Sequence, residues 1–258
     1  MELFGKIALV TGGGRGIGRA CAIALAQAGA HVIVAARTST EIEKVAQEIN
    51  TLGRPSLAVL LDVSKIESVE KAFREIEEKW GGCDILVNNA GIAASAPIVK
   101  CTEELWSQIM EVNLNGTFRC MKAALPKMLE RGWGRIINIA SIAGKAGAPY
   151  ISAYAASKHG VLGLTKAAAQ DVATKNITIN AICPGYVETD MGENAINIIM
   201  SKTGASKEQA RTALEQMTPQ RRLFKPEEVA FLTVALASPS AAGINGQAIN
   251  ICGGAIPY

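Results

Sequence analysis

Tyr154 and Lys158 stand four residues apart in Ser-Ala-Tyr-Ala-Ala-Ser-Lys-His-Gly, and Ser141 lies thirteen residues before Tyr154, closing the apolar run Arg-Ile-Ile-Asn-Ile-Ala. The alanine and leucine content of 153–173 predicts a helix. Positions i and i+4 of a helix share a face, so the Lys158 ammonium can sit near the Tyr154 phenol. A free phenol titrates near about 10, and a neighbouring cation favours the phenolate, so this spacing predicts a proton donor tuned toward neutral pH. Tyr-x-x-x-Lys is common on helices, however, and the pair gains meaning only from the chain that positions it.

That chain alternates apolar, strand-like runs with segments of helical period from end to end, the pattern of a parallel sheet covered on both faces. Strands are predicted at 6–11, 31–36, 56–62, 85–89, 135–141, 177–183 and 247–252. Helices are predicted at 16–28, 41–52, 69–80, 153–173 and 227–237, with two successive helices over 105–128. The expected fold is α/β, a doubly wound seven-stranded parallel sheet forming a single domain over residues 1–258. One segment breaks the rhythm. Residues 185–224 are far longer than an ordinary connection, and their apolar spacing predicts one or two amphipathic helices forming a lid over the site at about 188–224.

The turn Thr11-Gly12-Gly13-Gly14-Arg15-Gly16-Ile17-Gly18 falls between the first strand and its helix. There, backbone amides and the positive helix end attract a pyrophosphate, and glycines allow its close approach. The second strand ends Ala35-Ala36-Arg37, where dinucleotide sites for NAD carry an acid for the ribose 2′-hydroxyl. Arg37 can pair with a 2′-phosphate instead, with Arg15 closing from the other side, which points to NADP(H).

Composition excludes several alternatives. The 49% apolar fraction and 25 glycines in 258 residues suit a large buried sheet. No run reaches the roughly 18 apolar residues of a membrane span, and Met-Glu-Leu-Phe-Gly-Lys is not a signal-peptide start, so a cytoplasmic protein is expected. The six cysteines form no Cys-x-x-Cys pair and have only His31 and His159 beside them, so neither a metal site nor a disulfide framework is expected. A net charge of +3 without basic blocks gives no reason for a nucleic-acid partner.

With the glycine turn, Asn88-Asn89-Ala90-Gly91, Ser141 and Tyr154-x-x-x-Lys158 all in order, the chain resembles the short-chain dehydrogenase/reductase family over its whole length. The resemblance implies a Rossmann fold, a homotetramer, and catalysis by Asn113, Ser141, Tyr154 and Lys158. It also implies that Gly12, Gly14, Arg15, Gly16, Ile17, Gly18, Arg37, Asp62, Val63, Asn89, Ala90, Gly91, Pro184, Gly185, Val187 and Thr189 bind cofactor with Tyr154 and Lys158. Asp62-Val63 would contact adenine; Asn89, Val187 and Thr189 would lie near ribose or nicotinamide; Asn113 would hold a water linking Lys158 to solvent. Structural alternatives stand beside these roles: Asn88 can brace adjacent strands, Asp62 can cap the turn after it, and His159 projects about 100° away from Lys158.

Segments such as 128–132, 134–141 and 250–254, and the final Tyr258, resemble aromatic polyketide ketoreductases, and the 3-oxoacyl carrier-protein reductases are also similar. The expected reaction is reduction of a ketone by NADPH, the substrate being a 3-oxoacyl thioester or another bulky hydrophobic ketone. Ile142, Tyr150, Tyr186, Met191, Ile196, Ile199 and Met200 are the expected pocket. Gly132 replaces an arginine used by those reductases for carrier docking, leaving Arg131 and Lys175 as substitutes. The alternatives are oxidation of a secondary alcohol or 3-hydroxy acid, and, in another class, a non-catalytic NADP-binding regulator.

Overall fold

The computed structural model describes residues 2–257, so Tyr258 lies outside the described residues. Its first half alternates β1 (Ile7–Thr11), α1 (Gly16–Gln27), β2 (His31–Ala36), α2 (Ser39–Thr51), β3 (Ser56–Leu60), α3 (Ile66–Trp80) and β4 (Ile85–Asn88). There follow α4 (Glu103–Met110), α5 (Gly116–Arg131), β5 (Gly134–Ile139), α6 (Ser152–Asp171), β6 (Ile177–Pro184), α7 (Asp190–Thr203), α8 (Lys207–Gln216), α9 (Pro226–Ala237) and β7 (Ala248–Ile251).

All seven strands pair in parallel in the order β3-β2-β1-β4-β5-β6-β7. Strands such as His-Val-Ile-Val-Ala-Ala are apolar almost throughout because both sheet faces are covered. Successive residues feed opposite layers, as the two-residue period of a strand requires. Val32, Val34, Ile137 and Ile139 join Leu25 of α1, Ile49 of α2 and Val229 of α9, while Leu9, Ile33, Leu86 and Ile136 join Ile76 of α3 and Met121 of α5. The strand order reverses between β1 and β4, which opens a crevice at the carboxyl ends of the strands.

Two departures from expectation bear on the site. The helices predicted over 105–128 run on as α4, a π-helical turn at Glu111–Asn115, and α5, and the extra residue per turn carries Asn113 into the interior at 1% exposure. The excursion after β6 starts and ends at one neck, where Val187 bridges Phe224, Glu188 N donates to Phe224 O at 2.9 Å, and Phe224 N donates to Tyr186 O at 2.9 Å. Its helices α7 and α8 close on a small core of Ile196, Ala210, Leu214 and Leu223. Ile196 is 0% exposed there, so it holds α7 to α8 and does not line a substrate pocket. Its apolar face meets the other excursion helix before it can meet the cleft.

Candidate active site

Ser141 follows β5 with extended backbone and caps the short turn Ile142–Gly144, its Oγ accepting from Ala143 N at 3.1 Å. Across the crevice, α6 presents Tyr154 and Lys158 one turn apart, with Lys158 buried at 5% exposure. Lys158 Nζ lies 5.7 Å from the Tyr154 ring centre and donates to Ile139 O at 2.9 Å. The Ser141 hydroxyl lies close enough to the Tyr154 phenol to draw its pKa downward. Three of the four expected catalytic groups thus converge on one point.

Asn113 completes the cluster as a clamp. Its Nδ2 donates to Ile92 O at 2.9 Å and to Ser157 Oγ at 3.0 Å, and its Oδ1 accepts from Ile92 N at 2.9 Å. Ser157 Oγ in turn donates to Tyr154 O at 2.7 Å. Through these bonds the amide ties the π-turn to α6 and to the segment after β4, so the Asn113 side chain positions its neighbours. Ser157 was not foreseen in this role, although a serine three residues after Tyr154 in a helix is placed to bond back to its carbonyl.

The electrostatics depart from the expected tuning. Burial raises the Tyr154 phenol pKa, opposed by the Ser141 hydroxyl and reinforced by Tyr186 and Cys183. Burial also drives Lys158 down to about 8, with nearby Cys183 pulling upward. The i, i+4 spacing delivers the neighbours but not the sign, because desolvation acts on both partners against their charged forms. Tyr154 is therefore held as a protonated acid.

The phosphate end lies at the next strand tips. Gly12 and Gly16 have φ of +62° and +52°, and a Cβ on Gly18 would stand 2.2 Å from Gly12 O, so only glycine fits this turn. Arg15, the N-cap of α1, makes no side-chain cap and the first turn carries no acid, leaving the amides of this twelve-residue helix for an anion. These features fit a dinucleotide pyrophosphate. Arg37 is exposed at the end of β2, with no acid beside it on the strand. Burial raises Asp62, but Ser64 hydrogen bonds and the charges of Arg37 and Lys65 outweigh it and lower its pKa.

The other expected cofactor residues divide into lining and bracing groups. Asn89 Nδ2 donates to Thr11 O and Gly12 O, both at 3.0 Å, so it holds the glycine turn in shape. Thr11 Oγ1 accepts from Asn89 N and Ala90 N, a clamp that sequence reading missed. Asp62 Oδ1 accepts from Ser64 N and Oγ, capping the turn after β3. Val63 packs against Gly116 and offers its carbonyl to Arg119, so its side chain belongs to the core and not to an adenine pocket. Asn88 Nδ2 donates to Asn138 Oδ1 at 2.9 Å, bracing β4 on β5. Gly91, Pro184, Gly185, Val187 and Thr189 lie on the segments after β4 and at the end of β6 that flank the crevice, and Thr189 Oγ1 caps α7.

The profile of the family described as short chain dehydrogenase matches residues 6–199. The chain belongs to that family. The 3-oxoacyl-(acyl-carrier-protein) reductase of Vibrio cholerae serotype O1 is 42% identical over 254 residues, covering 98% of each chain. A putative ketoacyl reductase of Streptomyces coelicolor is 39% identical over 251 residues, covering 96% of each. Among solved structures, a single-residue variant of actinorhodin polyketide ketoreductase with NADPH superposes with a TM-score of 0.95 at 38% identity over 98% of each chain. A putative gluconate dehydrogenase from Agrobacterium tumefaciens reaches 0.92 at 32% identity, over 100% of this chain and 98% of that one.

Ile142 and Tyr186 are half-buried beside the cluster, and Tyr150 is 63% exposed with φ of +69°. Met191 is 43% exposed, while Ile199 and Met200 pack partly against the α7–α8 core. Arg131 donates to Asp84 Oδ1 at 2.8 Å and Gly81 O at 2.7 Å, so it is committed within the fold. Lys175 remains exposed.

Proposed function

We propose that this enzyme reduces a ketone to a secondary alcohol with NADPH, its substrate a 3-oxoacyl thioester or a similar bulky hydrophobic ketone. The observation that carries this reading is the convergence of Ser141, Tyr154 and Lys158 beside an uncapped glycine turn with no acid at the end of β2. NADPH supplies the hydride when bound. Tyr154, kept protonated by burial, donates its phenolic proton to the oxygen that gains charge, and Ser141 hydrogen-bonds the same oxygen. Lys158, near the Tyr154 ring, holds the nicotinamide ribose and resupplies the proton, while Asn113 and Ser157 fix the helix that carries both. Arg37 and Arg15 meet the 2′-phosphate.

A raised phenol pKa leaves the acid form present at neutral pH, the form that can donate to a ketone oxygen. Half-buried and exposed apolar groups of the expected pocket, Ile142, Tyr186 and Met191, support an acyl chain over a charged free acid. The relatives named for acyl-carrier-protein substrates support a thioester, and the commitment of Arg131 to Asp84 favours a small thioester over a carrier-bound one. Among the described residues no helix is long and apolar enough to cross a membrane. A reaction fed by NADPH and an acyl thioester suits a cytoplasmic setting. Exposed Trp106 and Phe118 on α4 and α5 support a homotetramer built through those helices.

Loss of NADPH absorbance with acetoacetyl-CoA tests the reading, with NADH, a carrier-protein thioester and simple ketones in parallel. Turnover of the CoA thioester with NADPH preferred is expected. Silence across the panel despite tight NADPH binding would favour a non-catalytic regulator, and a preference for NADH would remove the roles of Arg15 and Arg37.

A further inference from the structure

Asp190 has no part in the reaction as described, yet it sits where the excursion touches the phosphate turn. It is the first residue of α7, and the methyl of its neighbour Thr189 lies 3.1 Å from where a Cβ on Gly16 would be. Its Oδ2 is 3.1 Å from Arg15 Nη1, and Glu41 Oε1 of α2 stands 3.9 Å from the same nitrogen. Arg15 is thus occupied by two carboxylates at the position from which it must reach a 2′-phosphate. They differ in mounting: Glu41 belongs to a helix packed on the sheet, whereas Asp190 rides on the lid.

We propose that Asp190 sets the preference between phosphorylated and unphosphorylated nicotinamide dinucleotides by competing with the 2′-phosphate for Arg15. The 2′-phosphate carries more charge than a carboxylate and wins Arg15, but NADPH binding must first break the Arg15–Asp190 pair, whereas NADH binding leaves it intact. Because linkage is reciprocal, a bound 2′-phosphate also releases the start of α7 from the phosphate turn. The proposal rests on the assignment of Arg15 to the 2′-phosphate.

Dissociation constants for NADPH and NADH, read from quenching of tryptophan fluorescence, test it in the wild type, Asp190→Asn, Arg15→Met and the double variant. Exposed ion pairs contribute little, so Asp190→Asn is expected to tighten NADPH about three- to fivefold and leave NADH unchanged. In the Arg15→Met background the same change should have no effect on NADPH. Equal tightening of both nucleotides would overturn the proposal, since it would mean that Asp190 only repels the pyrophosphate; an unchanged NADPH constant would overturn it too. Failure of the underlying assignment has a different signature, an NADPH to NADH ratio that Arg15→Met alone does not move.

Discussion

The catalytic cluster and the α7–α8 excursion, which we propose is the lid over the site, are built in different ways. Ser141, Tyr154, Lys158 and Asn113 hang from β5, α6 and the π-turn, and bonds between buried groups join them: Asn113 to Ser157, Ser157 to Tyr154 O, Lys158 to Ile139 O. The α7–α8 excursion has a four-residue core of its own, and its contacts with the body include the neck at Val187 and Phe224 and the exposed ion pairs Arg15–Asp190 and Arg222–Glu228. Proton transfer needs groups fixed to within fractions of an ångström, which a packed sheet provides. Substrate entry through a lid needs a part that opens without unfolding the rest, and a small separate core would provide that.

Tyr154→Phe tests the first half most severely. It should lower kcat by about 10²–10⁴-fold while leaving NADPH binding nearly unchanged, since only the reacting proton is lost. A variant retaining a tenth of the rate would show that the phenol is not the acid.

Lys158→Met separates chemistry from stability. The Lys158 pKa falls from its ordinary 10.5 to about 8 on folding, so between those values the unfolded chain holds more protons and stability rises with pH. At pH 7 both states are protonated and the fold bears the whole cost of burying the ammonium, about 3 kcal/mol by the size of the shift. Loss of the hydrogen bond to Ile139 O takes back about 1 kcal/mol. Urea unfolding at pH 7 should therefore show Lys158→Met more stable than the wild type by about 2 kcal/mol, with the gain shrinking from pH 8 to 10.5. A variant less stable at pH 7 would mean that the ammonium is well solvated where it lies.

The sequence made these two regions legible to different degrees. Strands buried on both faces read plainly as apolar runs, and Tyr154 with Lys158 read as neighbours because a helix fixes which residues share a face. Three things stayed hidden. The π-turn at Glu111–Asn115 has the composition of ordinary helix, and only the packing of Asn113 on Ile92 and Ser157 displays it. The pKa direction of Tyr154 depends on how much water the fold excludes, which spacing does not encode. On the lid, periodicity gave α7 an apolar face but not its partner, so Ile196 was placed toward substrate when it faces Leu214 and Leu223.

That misplacement supplies the next test. If the lid core is separate from the sheet core, Ile196→Ala should cost the lid about 2 kcal/mol of local stability and the whole domain much less. Trypsin should then cut faster at exposed Lys202, at the end of α7, while the global melting temperature changes by only a degree or two. Ile137→Ala, in the sheet, should do the reverse. A matching fall in melting temperature for both would show that lid and sheet unfold as one unit.

The smallest effect belongs to the ion pairs inside the excursion, which tie α8 back to its first residues. Arg211 of α8 bonds Glu188, between Val187 and Thr189, and also reaches Glu215 Oε1 at 2.9 Å. Both Arg211 and Glu188 side chains are 40% exposed, so water screens the pair and its worth is at most about 1 kcal/mol. Arg211→Met should therefore raise KM for NADPH by no more than about fivefold, because Val187 and Thr189 flank the crevice, and should leave kcat alone, because nothing in the catalytic cluster touches Arg211. Salt gives the control. Raising ionic strength should weaken the wild-type enzyme toward the variant and change the variant less. If kcat falls with KM, the lid and the catalytic cluster are mechanically coupled, and the division between them is not as clean as their separate cores imply.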